Sequence, residues 1–162
     1  MLNPYQQRAH QKMAHSRILM SLALQCEADI PGKQKQEALL QSVVVHLGTA
    51  YQVYLKEIAF GYKLSFIDNI TSLKQLQEQL SAIEKVDSAV NELIGLESSG
   101  WLEDFLNARK QTLNPTAYTV TSPNVIAADG GSDVKIEAPL VANFLSEFEQ
   151  LLERQRYSSV EY

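Results

Sequence analysis

The sequence predicts an all-α chain: an up-down-up-down four-helix bundle with a broken third helix and a long loop or small hairpin before the last one. Three observations carry this. Apolar residues recur at 3–4 spacing over long stretches. Strand-like composition is confined to two short runs, Ala117–Val120 and Val125–Ala128. Pro and Gly are scarce, 5 and 7 of 162 residues, and several of them stand where the apolar rows should stop. Amphipathic helices of this number need a shared core, and a short connection at 30–33 makes the first two antiparallel.

Asn3-Pro4 opens the first helix, because Asn caps well and Pro is tolerated in the first turn. Ala9, Met13, Ser16, Met20 and Ala23 form one row, with His15, Leu19, Leu22 and Cys26 in a second row beside it. The predicted span is 4–29, closed by the breaker Ile30-Pro31-Gly32. The second helix, predicted at 34–61, carries Leu40, Val44, Leu47, Tyr51, Tyr54 and Ile58 as a heptad seam. Gly48 inside it costs about 1 kcal/mol against Ala and marks a close helix approach, while Gly61 suits the end.

Residues 62–72 read as a connector with Asp68 and Asn69 as turn-formers and Phe66 and Ile67 as apolar anchors. Ser72 then caps a stretch carrying Leu73, Leu76, Leu80 and Ile83, and Asp87 or Ser88 caps another with Val90, Leu93 and Ile94. Ser98-Ser99-Gly100 interrupts before Trp101, Leu102, Phe105 and Leu106, so the third helix is predicted in two or three pieces over 73–112. Residues 114–138 form an irregular excursion holding Pro115, Pro123, Gly130 and Gly131, expected to be extended and protease-sensitive. The last helix, predicted from about Pro139 to Tyr157, carries the row Val141, Leu145, Phe148 and Leu152, flanked by Phe144 and Leu151. Leu47, Tyr54, Leu145 and Phe148 are the expected core, and the chain reads as one domain over 1–162.

Charge narrows the function classes. The net charge of −5 and pI near 5.2 argue against a general polyanion binder. The basic excess lies in the first segment, where no acid precedes Glu27. Lys12 and Arg17 before the apolar run Ile18–Leu24 imitate a secretion signal, but Ser21 interrupts the run, and Gln25 stands where a lipoprotein signal needs a small residue before Cys26. No run approaches the ~18 apolar residues of a membrane span. The expectation is a cytoplasmic protein with one reduced Cys in its core.

Known chemistries find little support in the residues. A lone Cys excludes a disulfide framework and multi-thiolate zinc sites. His10 and His15 lie about 140° apart around a helix, unlike an i, i+4 metal pair. No Glu-x-x-His motif for a di-iron bundle, no P-loop and no nucleophile elbow is present. His46 beside the second seam reads as a hydrogen-bonded boundary residue. Neither a cofactor nor a metal site is predicted. Arg8, Lys12 and His15 line one stripe of the first helix, and in an up-down-up-down bundle its start lies beside Lys63 and the pair Arg154, Arg156. These six are the candidate anion or nucleic-acid contacts. Cations favour helix C-termini in any case, and Glu153 and Glu161 dilute the patch.

Four segments carry a resemblance: VVHLGTAYQVYLKEIA at 44–59, SLKQL at 72–76, SGWLEDFL at 99–106 and the ending LLERQRYSSVEY. They resemble a set of short gammaproteobacterial helical proteins known as a domain of unknown function, which implies no activity. The architecture also resembles the bundle of HEPN domains and nucleotidyltransferase substrate-binding proteins, a likeness of fold alone. HEPN ribonucleases carry an Arg and a His with four to six residues between them, and Arg8 and His15, with six between, fit that spacing, although on the first helix and with Ala9 where a polar residue is usual. The leading expectation is a non-enzymatic bundle acting through protein contacts, as a homodimer or with a protein partner, because the second helix carries Val43, Val44, Val45, Val53 and Phe60 beyond its seam. The alternative is a HEPN-like nucleic-acid or nucleotide-linked module using the basic end.

Overall fold

A computed structural model describes residues 2–114 and 134–160. These residues form six α-helices and one short 3-10 turn, and no strand. Most of the 114–138 excursion, with its expected hairpin and protease sensitivity, lies outside the described residues.

Helix α1 spans Pro4–Leu24, capped by Asn3, whose side chain accepts from the Tyr5 amide. Its buried residues are Ala9, Met13, Ser16, Met20 and Ala23, the first of the two predicted rows. The second row is only partly covered, and Leu22 is exposed. Cys26 is half-buried beyond the helix end, its thiol facing the Leu22 carbonyl at 3.5 Å, and does not join the core as expected.

Helix α2 spans Ile30–Gly61, so the expected breaker Ile30-Pro31-Gly32 is its first turn. First-turn amides have no intrahelical acceptor, and Pro31 there forfeits nothing. Asp29 supplies the cap, accepting from the Gly32 amide at 2.7 Å. Gly32 is required by the tightness of this turn, since a Cβ there would stand 2.0 Å from the Glu27 carbonyl oxygen. The first helix accordingly stops five residues earlier than predicted. At the other end, Lys63 takes the left-handed conformation (φ 54°), with its amide on the Phe60 carbonyl and the Leu64 amide on that of Ala59. This is a Schellman closure with the left-handed position filled by lysine rather than by Gly61. Leu64, which follows, is buried.

The connector is anchored by Leu64 and Ile70; the expected anchor Phe66 is 77% exposed and left-handed. Its left-handed turn into the 3-10 residues Ile67–Asn69 directs the ring outward, and Ile67 is half-buried. The broken third helix resolves into α3 (Leu73–Ala82), α4 (Ser88–Ser99) and α5 (Trp101–Leu113). Ser72 and Gln75 form a reciprocal capping box on α3, Asp87 caps α4, and Gly100 both ends α4 and begins α5. Helix α6 covers Ala138–Val160.

Side-chain contacts fix the sense of each pairing. Asn3 bonds the Glu57 carbonyl, His15 meets His46, and Gln36 bonds the Ala23 carbonyl, so α1 and α2 are antiparallel. Arg17 pairs with Glu149 and Arg156 reaches His10, so α6 also runs against α1. Trp101 and Phe105 pack edge-on against Phe148 and Phe144. Leu47, Tyr54 and Phe148 are buried as expected, but Leu145 is only half-buried and Phe144 takes its place. Val141, Phe148 and Leu152 of the row expected on α6 are buried, together with the flanking Phe144 and Leu151 and with Gln155, and only Leu145 of that row is not. Gly48 does mark a close approach: the Arg109 side chain lies across it, and a Cβ there would fall 2.2 Å from its Nε.

Candidate functional site

At one end of the molecule, α1, α2, α4 and α6 enclose a cleft of about 1040 Å³. Its polar side chains are bound to one another. Arg156 spans both carboxylate oxygens of Glu57, at 2.9 Å from Nε and 2.7 Å from Nη2. Its Nη1 stands 3.2 Å from Nε2 of His10, and its guanidinium lies 5.9 Å from the centre of the Tyr54 ring. The Tyr54 hydroxyl donates to Oε1 of buried Gln155 at 2.5 Å, and Gln155 Nε2 donates to Glu92 at 2.7 Å. Glu92 also pairs with Arg154. The Tyr62 hydroxyl donates to Asp87 at 2.7 Å, whose other oxygen caps α4.

Burial and the neighbouring carboxylates set the protonation of the phenols. Burial, then the Glu57 charge, raises Tyr54 above the ordinary phenol range. The hydrogen bond to Asp87, followed by burial, pushes Tyr62 up to about 12. Both are therefore neutral donors at physiological pH. The cleft's hydrogen bonds and ion pairs tie α2, α4 and α6 together, with α1 joined through His10. Among the described residues, no group of three or more His, Cys, Asp or Glu side chains is arranged to hold a metal, and no helix is long and apolar enough to cross a membrane.

The six basic candidates fall in different places. Arg154 and Arg156 line the cleft, already facing Glu92 and Glu57. Lys63 is exposed just past α2, and Arg8 is exposed on α1. Lys12 and His15 turn toward α2, where the His15 ring meets that of His46 edge to face, centroids 5.5 Å apart. His10 reaches Arg156 instead of His15, as its position about a third of a turn away on the helix requires. Sequence reasoning missed Glu57, Asp87, Glu92 and Gln155. Only Gln155 left a signal, a polar residue falling in step with the buried row of α6.

His46 is held below the ordinary imidazole range by burial, then by Lys12 and His15. His10 is lowered too, by burial and then by Arg156. An unfolded chain binds protons at these imidazoles near pH 6.5, the folded chain only at lower pH. Between those limits the unfolded state carries more protons, so stability falls as pH drops through this window. The melting temperature should decline from about pH 7.5 to about 5.5, and His46→Gln should flatten the decline. An equal slope in that variant would contradict the assignment.

The whole chain, residues 1–162, matches the model of a family of unknown function (DUF6586), and the chain belongs to that family. No curated protein and no solved structure matches it.

Proposed function

We propose that the chain is a single-domain, up-down-up-down four-helix bundle that works in the cytoplasm through protein contacts, first of all with a second copy of itself, and catalyses no reaction. α1, α2 and α6 supply three helices, and α3 to α5 act as the broken fourth. The antiparallel pairing of α1 with both α2 and α6 supports this topology. The observation that carries the function is the apolar row left outside on α1. Ile18 and Leu22 are one turn apart and 59% and 46% exposed, next to half-buried Leu19. Leu24 and Ile30 are also exposed at the turn into α2, with Leu24 on the opposite side of α1 from Leu22. An exposed apolar pair on one helix face, backed by a half-buried third residue, is the kind of surface that a contact covers. Of the apolar excess on α2, Val43 and Val44 are fully buried, Val53 and Phe60 are half-buried and Val45 is exposed.

Sedimentation velocity tests this. The wild type should sediment as a concentration-dependent dimer, and the Ile18→Lys/Leu22→Lys double variant as a monomer with unchanged helical circular dichroism. A wild type that stays monomeric at every concentration would sink the reading. The HEPN-like nucleic-acid module draws support from Arg8, Lys12 and Lys63, which have no ion pair among the described residues. RNA affinity that falls with salt and weakens in Arg8→Ala would favour it instead.

A further inference from the structure

We propose that His15 on α1 and His46 on α2 form a two-histidine site for a late first-row divalent cation, of the Zn²⁺ or Cu²⁺ class. The rings meet across the seam of two antiparallel helices, 5.5 Å between centroids and nearly perpendicular at 88°. Zn–N bonds of about 2.0–2.1 Å in a tetrahedral shell set two imidazole centroids about 5 Å apart. The observed centroid separation is close to that value, and a shared ion requires the rings to rotate out of their edge-to-face contact. Each histidine lies well inside its helix, so the two backbones hold the pair at this separation without an entropic cost of closing a loop.

The state of the nitrogens fits this role. Both rings are half-buried, and neither makes a hydrogen bond or ion pair among the described residues, whereas His10 is engaged by Arg156. Imidazole binds these metals through the ring-nitrogen lone pair of its neutral form. An imidazole donor set selects Zn²⁺, Cu²⁺ or Ni²⁺ over the oxygen-seeking Mg²⁺ and Ca²⁺. No third His, Cys, Asp or Glu among the described residues joins the pair, so water completes the shell. The Lys12 ammonium near His46 stands in opposition to an added cation.

That opposition supplies a specific test. Zn²⁺ alone would be titrated calorimetrically into the full chain carrying Cys26→Ser, which removes the one thiol as a competing ligand. Binding of one ion per chain is expected. His15→Ala and His46→Ala should each weaken it at least roughly tenfold, the lower end of the loss caused even by removing an outer-shell partner. His10→Ala should leave it unchanged, and Lys12→Ala should tighten it. In imidazole NMR spectra the His15 and His46 resonances should shift on addition of the ion while those of His10 stay fixed. Circular dichroism of each variant checks that the helices persist. Absence of binding, binding that survives both His15→Ala and His46→Ala, or binding that depends on His10 would overturn the proposal.

Discussion

Phe148→Ala should destabilise the chain by about 3–5 kcal/mol, the range for truncating a fully buried ring. Phe148 has no exposed surface and sits among three other aromatic residues: Trp101 and Phe105 at 4.8 Å and Tyr51 at 6.0 Å between ring centres. Those neighbours come from α5 and α2, and Phe148 itself is on α6. The void left by alanine would face three helices that cannot all move in together, so the cavity term adds to the lost transfer energy. Leu145→Ala, three residues away and half-buried, should cost only about 1 kcal/mol because much of its surface is already in water. The pair of denaturant melts reads the rotational setting of α6 directly. Similar losses at both sites would mean that α6 is turned toward the row containing 145.

How far the sequence reveals this fold can be followed residue by residue. The 3–4 spacing of Ala9, Met13, Ser16, Met20 and Ala23 gives the buried face of α1 correctly because one complete row is apolar or small. On α6 two adjacent rows are equally apolar, and periodicity alone cannot choose between Phe144 and Leu145. Only packing against Phe105 settles it, at 5.3 Å between ring centres. The turn between α1 and α2 misleads for a different reason. Pro31 interrupts a helix that it follows but is neutral in the first turn of a helix that it begins. Asp29 decides which case applies, by capping the Gly32 amide. The same Asx-Pro grammar is legible at Asn3-Pro4 and was obscured at the second site by the intervening Ile30.

The site was less legible than the fold, because its partners are distant in sequence. Glu57 and Arg156 are 99 positions apart, and Tyr54 and Gln155 are 101 apart. Spacing within one helix says nothing about such pairs; they follow from which helix ends become neighbours. Placing the start of α1 beside the ends of α2 and α6 does bring Arg154 and Arg156 to one place. It does not show that Glu92 and Glu57 arrive with them. Likewise His46 reads as an isolated boundary residue until α1 is laid antiparallel and His15 comes to its ring.

Glu57→Ala should cost about 2–3 kcal/mol, below the roughly 3–5 kcal/mol for breaking a fully buried ion pair. The discount reflects the remaining exposure of the two side chains, 11% for Glu57 and 17% for Arg156. The substitution removes two charge-assisted bonds at once and leaves the guanidinium in a confined setting beside His10 and the Tyr54 ring. By contrast, the more exposed Arg17–Glu149 pair should contribute no more than about 1 kcal/mol when broken. Replacing both Glu57 and Arg156 by leucine should recover most of the loss, since the desolvation of both charges is then avoided. Glu57→Ala also bears on the basic end. A carboxylate that already occupies the fork of Arg156 competes with any phosphate approaching it. If that competition governs the cleft, Glu57→Ala should bind RNA or inorganic phosphate more tightly than the wild type does, in a salt-dependent manner. If the wild type binds such anions and Glu57→Ala binds them no better, Glu57 is not the competing group, and the anion contacts lie at Arg8, Lys12 or Lys63.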